Sequence, residues 1–120
     1  MLSPGDEVIV PAHTWISTSE MVVRIGATPI FADVDANTCC LDVNDVAQKI
    51  SNRTKAVIVV HLYGSPANLD ALSAVCDQNT IELIEDCAQA HGTLYHGQKG
   101  RNIHLANERK LKSYRLKWYF

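Results

Sequence analysis

The sequence lacks the features of a membrane protein and of an exported protein. No apolar stretch approaches the ~20 residues that a membrane-spanning helix needs. Residues 1–6 have neither the basic nor the apolar region of a signal peptide. The formal net charge is −2, which offers no broad basic surface for nucleic acid. We therefore expect a cytoplasmic protein with no membrane or nucleic-acid partner.

The common nucleotide and metal motifs are also absent. The chain contains neither G-x-G-x-x-G nor G-x-x-x-x-G-K-[ST], so nucleotide binding by those routes has no support. Residues 33–37 open like a calcium loop, but Thr38 stands where the turn needs glycine and Asn44 where a bidentate glutamate belongs. The five histidines show no metal-ligand spacing and are treated as structural: His13, His61, His91, His96 and His104.

The cysteines do not form a C-x-x-C pair that would suggest zinc or a redox dithiol. Adjacent Cys39 and Cys40 cannot readily pair with each other. Cys87 follows Asp86 and could be considered a nucleophile, but a small residue in a crowded turn is the preferred interpretation. We expect ordinary reduced thiols.

What the chain does contain is a regular alternation of short apolar strands and helices, in a length typical of one domain. The strands are apolar on both faces, which favours a parallel sheet covered by helices on both sides. The predicted fold is α/β with three layers and a mostly parallel sheet. Strands are predicted near residues 7–10, 29–34, 56–61 and 81–85, and helices near residues 15–25, 43–50 (capped by Asp42) and 69–77.

The C-terminal segment, residues 100–120, differs in character. It carries more than half of the eleven Lys and Arg residues, ends in three aromatic residues and shows no sustained period. Basic residues interleaved with aromatics could indicate a nucleic-acid tail. A divergent, poorly structured terminus is the prediction that we prefer.

The most informative segment is residues 84–92, where the apolar run at residues 81–84 is followed by Asp86, small residues and Gln89. Ligands of open α/β sheets bind just beyond the carboxyl ends of strands. A carboxylate at that point can pair with a cationic ring nitrogen and keep it protonated. From the residues alone, a helix N-cap role for Asp86 is equally good.

Four segments in order resemble one family: residues 5–11 (GDEVIVP), 14–18 (TWIST), 26–35 (GATPIFADVD), and 53–92, which contains RTKA, VHLYG and IEDCAQAHG. Together they look like the DegT/StrS family of pyridoxal 5′-phosphate (PLP)-dependent sugar aminotransferases. The resemblance covers residues 4–99. It implies that residues 1–99 form part of the large, PLP-binding domain of a fold-type I aminotransferase.

The resemblance also implies roles for four residues. Asp86 corresponds to the carboxylate that pairs with the pyridine nitrogen of PLP. Trp15 corresponds to the aromatic residue that stacks on one face of the ring, and Ala88 to the small residue against the other face. Gln89 corresponds to the polar residue near the phenolic oxygen of the ring. The cofactor-binding residues expected from the sequence are thus Trp15, Asp86, Ala88 and Gln89.

By resemblance, the full-length protein moves an amino group from an amino acid, typically glutamate, to a nucleotide-linked keto-sugar. Such sugars serve cell-surface polysaccharide or antibiotic biosynthesis, and family members work as homodimers. Two alternatives stay open from the sequence. One is a non-catalytic subunit or binding module with the PLP fold, and the other is a sugar dehydratase of the same family.

Some of the family's site has no counterpart here. The Gly-Thr pair that binds the phosphate has no match, and neither does the segment with the Schiff-base lysine. Lys110, Lys112 and Lys117 lack its expected context. We therefore expect a truncated frame, a frameshift product or a fragment, with no catalytic lysine. For such a chain we predict weak reversible PLP binding, no transaminase activity, marginal stability and self-association.

Overall fold

The computed structural model describes residues 2–99; the predicted tail at residues 100–120 lies outside the described residues. Strands and helices alternate from Glu7 to Asp86, and a short hairpin follows. The elements are β1 (Glu7–Pro11), α1 (Ser17–Arg24), β2 (Thr28–Ala32), α2 (Val43–Lys49), β3 (Thr54–Val60), α3 (Leu69–Asn79), β4 (Glu82–Asp86), β5 (Leu94–Tyr95) and β6 (Gln98–Lys99), with a 3-10 turn at Leu62–Gly64.

The first four strands form one sheet in the order β2-β1-β3-β4, and every neighbouring pair is parallel. The predicted parallel sheet is therefore confirmed, and its strands lie within two residues of the predicted bounds. Because all four strands point the same way, their carboxyl ends meet at one edge. We call this the carboxyl edge of the sheet; it carries the loops that follow β1, β3 and β4.

Each face of the sheet has its own hydrophobic core, because successive strand residues point to opposite faces. On one face, strand residues pack with α2 and α3; this core includes Ile9, Val57, Val59, Val46, Leu69 and Leu72. On the other face, the strands pack with α1; this core includes Val8, Val10, Ala56, Ile58 and Val22. The helices thus cover both faces, which confirms the three-layer α/β prediction.

Helix α2 begins as the sequence predicts. The Asp42 carboxylate accepts hydrogen bonds from the main-chain N–H groups of Asn44 (2.7 Å) and Asp45 (3.3 Å). These are donors that the first turn of a helix cannot satisfy internally, so the cap defines the start of α2.

The helix predicted at residues 15–25 is shorter than expected. It begins at Ser17, and both Trp15 and Ile16 are 71% exposed ahead of it. Val22 is the one apolar side chain of α1 that is fully buried. The predicted helix is therefore confirmed, but the apolar residues at the start of the pattern lie ahead of it and do not form part of a packed helix face.

The strand predicted at residues 29–34 ends early, at Ala32. The main-chain N–H of Asp33 turns to the Asp45 carboxylate on α2, at 2.6 Å, instead of continuing the ladder. Val34 then pairs only with Leu41, in an isolated antiparallel bridge. The Asp45 side chain thus accepts the N–H of Asp33, a residue that was predicted to lie in the strand.

The loop that resembles the start of a calcium site has a structural use. The Asp35 carboxylate accepts hydrogen bonds from the N–H groups of Thr38 and Asn37, each at 2.9 Å. These bonds hold the pKa of Asp35 below its ordinary value. The carboxylate therefore organises its own turn.

The antiparallel hairpin β5–β6 was not predicted. Its two-residue turn is formed by His96 (φ 48°) and Gly97 (φ 79°), and two positive φ values suit the twist of a tight hairpin. The hairpin contacts the start of α3, where the main-chain N–H of Asp70 donates to the Tyr95 hydroxyl at 3.3 Å. Asn-Gly is the common sequence of such a turn, and because histidine takes the place of asparagine here, the sequence did not predict the hairpin.

Among residues 2–99, no helix combines the length and the apolar character that crossing a membrane would require.

Candidate functional site

A cleft of about 240 Å³ opens at the carboxyl edge of the sheet. Three loops build it: the loop after β1, the turn after β3 and the segment after β4. Crevices of this kind, beyond the ends of parallel strands, are the usual ligand sites of open α/β sheets. The lining residues are His13, Thr14, Trp15, Leu62, Tyr63 and Gln89.

Asp86 is the last residue of β4 and is only 6% exposed. One carboxylate oxygen accepts the main-chain N–H of Ala88 at 3.0 Å. The other lies 3.5 Å from the hydroxyl of Thr18, in the first turn of α1. The carboxylate is therefore held from two sides at the carboxyl edge, although it is not itself among the residues that line the cleft.

The N-cap alternative for Asp86 is wrong. Its bond to Ala88 spans two residues, as in an Asx-turn, and the described segment that follows, residues 87–99, contains turns and a hairpin but no helix.

Trp15 and Gln89 line the same cleft from different loops. The ring of Trp15 is largely exposed, which leaves an aromatic face available to a flat ligand. Ala88 is exposed beside Gln89. The structure thus brings Trp15 and Gln89 together at one cleft, while Asp86 and Ala88 lie at the same edge in the segment that carries Gln89.

Tyr63 is a cleft residue to which the sequence assigned no role. Its main-chain N–H donates to Oε1 of Gln89 at 3.1 Å, and its hydroxyl lies 3.3 Å from Nε2 of His13. Its backbone is left-handed (φ 55°, ψ 25°), which is rare for an aromatic residue. The signal available in the sequence was an aromatic residue before Gly64, at the end of the strongest strand.

Behind the cleft lies a buried pair, His61 and Glu85, whose Nε2 and Oε2 atoms are 3.3 Å apart. The main-chain N–H of Ala67 donates to Nδ1 of His61 at 3.1 Å. Because Nδ1 accepts, the ring proton lies on Nε2 and points to the Glu85 carboxylate. His61 is therefore a hydrogen-bonded structural residue, as the sequence indicated.

Cys87 lies next to this pair, with its sulfur 3.7 Å from Oε2 of Glu85. Burial, reinforced by the negative charge of Glu85, raises the pKa of the Cys87 thiol to about 12. A thiol that keeps its proton is a poor nucleophile and a poor metal ligand. The preference for an ordinary thiol over a nucleophile is therefore supported, and all four cysteines are free.

Comparison with known proteins gives a consistent result. The sequence profile of the DegT/DnrJ/EryC1/StrS aminotransferase family matches residues 1–106. An L-glutamine:2-deoxy-scyllo-inosose aminotransferase from Streptomyces lividus is 50% identical over 95 residues, which cover 79% of this chain and 22% of that protein. The chain thus spans less than a quarter of that relative's length.

Solved structures agree in fold. DesI, solved in the presence of its TDP-sugar product, is 40% identical with a TM-score of 0.77, over 80% of this chain and 24% of DesI. NtdA from Bacillus subtilis, solved with bound cofactor PMP, is 34% identical with a TM-score of 0.74, over 76% of this chain and 21% of NtdA. The fold is that of the PLP-dependent aminotransferases, and the aminotransferases of this family use PLP. The chain belongs to the DegT/DnrJ/EryC1/StrS aminotransferase family.

Proposed function

We propose that residues 1–99 provide the ring-binding part of a PLP site in an aminotransferase that aminates a cyclic ketone of the sugar or cyclitol class. The observation that carries this proposal is the buried carboxylate of Asp86 at the carboxyl edge, beside a cleft lined by Trp15 and Gln89. Membership of the family supports the reaction type.

The chemistry of these side chains fits the cofactor. A buried carboxylate stabilises a cationic ring nitrogen, because the low dielectric strengthens their attraction. Asp86 has this role in the proposal. The exposed indole of Trp15 offers a flat face for stacking on one side of the ring, and the methyl group of Ala88 leaves room for the other side. The amide of Gln89 can hydrogen-bond a ring oxygen.

When bound, PLP supplies an electron-withdrawing ring that makes a proton on the substrate's amine-bearing carbon acidic. The contribution of this chain is to hold that ring cationic through Asp86 and to orient it against Trp15. The hydrogen bonds from Ala88 N–H and Thr18 keep the carboxylate in one position, so it needs little reorganisation when the ring arrives.

The names and titles of the relatives indicate two classes of amino acceptor. The name of the Streptomyces lividus relative describes a ketocyclitol acceptor with glutamine as donor. DesI was solved in the presence of its TDP-sugar product, which favours a nucleotide-linked keto-sugar. We propose the broader class, a polyhydroxylated ring ketone, with glutamine or glutamate as amino donor. A cytoplasmic homodimer stays a prediction for the full-length protein.

The first test is non-covalent binding of pyridoxamine 5′-phosphate (PMP), which cannot form an imine with a protein lysine. We expect reversible binding to the 120-residue chain in calorimetry, weakened by roughly 10- to 100-fold in Asp86→Asn, because a hydrogen bond to a charged group is worth about 1.5–3 kcal/mol. Asp77→Asn, at an exposed carboxylate of α3, is the matched control and should bind as the wild type does. No binding, or equal binding in Asp86→Asn, would count against the site.

We also propose that this chain alone does not transaminate, since no lysine lines the cleft within the described residues. The purified chain, supplied with PLP, glutamate or glutamine and a panel of cyclic ketones, should release no 2-oxo acid. Borohydride treatment and intact mass should show no PLP adduct confined to a single lysine. Turnover that is lost in Asp86→Ala would overturn this part of the proposal.

A further inference from the structure

Tyr63 has an unfavourable backbone conformation that the structure retains. Its φ of 55° and ψ of 25° are left-handed. For an L-residue other than glycine this conformation is sterically unfavourable, and a bulky side chain rarely adopts it. Backbone strain of this kind concentrates at functional sites and persists only where neighbouring contacts maintain it.

Contacts at both ends of Tyr63 maintain the conformation. The main-chain N–H donates to Oε1 of Gln89 at 3.1 Å, and the hydroxyl lies 3.3 Å from Nε2 of His13. The next residue is also anchored, because the hydroxyl of Thr93 donates to the carbonyl of Gly64 at 3.0 Å. These bonds join all three loops that build the cleft.

The bond between Tyr63 and Gln89 determines which way the amide of Gln89 faces. A main-chain N–H can only donate, so the amide atom that meets it must be the oxygen. The NH₂ group of Gln89 does not take part in this bond, and it has no hydrogen-bond acceptor among residues 2–99. Because Gln89 lines the cleft, this end is available there as a donor that cannot also accept.

We propose that Tyr63 is a positioning residue: its left-handed main-chain N–H orients Gln89 so that the cleft presents an amide donor and selects a ring ligand that carries an anionic oxygen. The proposal rests on the proposed function, which already includes a hydrogen bond from Gln89 to a ring oxygen; it adds the residue that fixes the direction of the amide. The probe is PMP, whose ring bears a deprotonated 3-hydroxyl, compared with 3-deoxy-PMP, which lacks that oxygen.

The experiment measures the dissociation constants of both probes by calorimetry. The wild-type chain should bind PMP at least about 10-fold more tightly than 3-deoxy-PMP, because a donor to an anionic acceptor is worth about 1.5 kcal/mol or more. In Gln89→Glu, the carboxylate still accepts from Tyr63 but offers no donor, so the preference should disappear or reverse. Binding of 3-deoxy-PMP should change much less.

Two substitutions at position 63 separate the backbone from the side chain. Tyr63→Asn loses the ring, but asparagine tolerates the left-handed conformation and should keep the preference for PMP, with lower overall affinity. Tyr63→Val retains an apolar side chain, but its β-branch disfavours that conformation and should reduce the preference several-fold. Circular dichroism establishes that each variant is folded before its affinities are compared.

The outcomes distinguish the two proposals. If the wild type binds both probes equally, or if Gln89→Glu weakens both by the same factor, the donor role is wrong while the cofactor site stands. If Tyr63→Val keeps the full preference, Tyr63 does not position the amide. If the wild type binds neither probe, the proposed function and this inference fall together.

Discussion

The hydroxyl of Thr18 lies 3.5 Å from a carboxylate oxygen of Asp86, and both side chains are buried. These residues are 68 positions apart in the sequence. Thr18 lies in the first turn of α1, directly after the loop that carries Trp15, while Asp86 ends β4. The contact therefore couples the proposed stacking residue to the proposed ring-nitrogen partner.

Thr18→Val tests this coupling, because valine keeps the shape of threonine and removes the hydroxyl. The hydrogen bond is long, so we expect a loss of stability of about 0.5–1 kcal/mol in urea unfolding. Affinity for PMP should fall a few-fold, since the carboxylate is held less firmly. Thr18→Ser, which keeps the hydroxyl, should bind PMP as the wild type does; a Val variant indistinguishable from wild type in both measurements would refute the coupling.

His61 makes buried hydrogen bonds to two other segments, so its truncation should destabilise the fold. His61→Ala leaves the buried carboxylate of Glu85 and the N–H of Ala67 each without one partner, so we expect a loss of about 2–4 kcal/mol. His61→Asn can still accept from Ala67 and should lose about 1 kcal/mol less. His91→Ala, at an exposed position, is the control and should change the stability by less than about 0.5 kcal/mol.

Cys87 should resist alkylation. With its pKa raised to about 12 by burial and by Glu85, its thiolate fraction at pH 8 is roughly 1000-fold lower than that of an ordinary thiol, so iodoacetamide should react roughly 1000-fold more slowly than in the urea-unfolded chain. Since the folded-state pKa is the higher one, the thiol's contribution to stability is complete below pH ~9 and is lost as the pH rises towards 12. Peptide mapping gives the rate at Cys87; equal rates in the two states would contradict the prediction.

Because of Glu7, the stability of the fold should decrease at acidic pH. The hydroxyl of Ser51 and the guanidinium of Arg53 hold the pKa of this carboxyl below its ordinary 4.5. Its contribution to stability is therefore present above pH ~4.5 and is lost as the pH falls through the lower, folded-state value. Glu7→Gln should destabilise the chain at pH 7 and much less at pH 3.

Glu82→Gln is the matched control for Glu7, because both residues begin a strand of the same sheet but Glu82 is exposed. Its effect on the free energy of unfolding should be small at both pH values. If the cost of Glu7→Gln were the same at pH 7 and pH 3, then the charge of Glu7 would not be the stabilising feature.

The order of elements could be predicted because it depends on local patterns. Apolar runs such as residues 57–60 are long enough to identify strands, and Asp42 is followed by a helical period that it caps. Parallel pairing then followed from alternation, because a strand joined to the next by a helix returns in the same direction. The placement of Asp86 at a strand end needed no more than this.

Two predicted element ends differ from the structure, and the reason differs between them. Asp45 takes the N–H that would extend β2 beyond Ala32. The residues at 15 and 16 are apolar but exposed, so periodicity assigned them to a helix face that they do not join. No short-range pattern contains this information, because the Asp45 bond and the exposure of residues 15 and 16 both depend on how the elements pack.

By itself, the sequence determined the α/β class, the parallel sheet and the position of Asp86 at the end of β4, because burial patterns and strand direction are local or nearly local properties. Only the tertiary structure decided that Tyr63 and Gln89 meet, that Thr18 contacts Asp86, and that His61 donates to Glu85. Each of these contacts joins loops or elements from different strands. Their distances and donor directions follow from how the strands stack in the sheet, which periodicity does not specify.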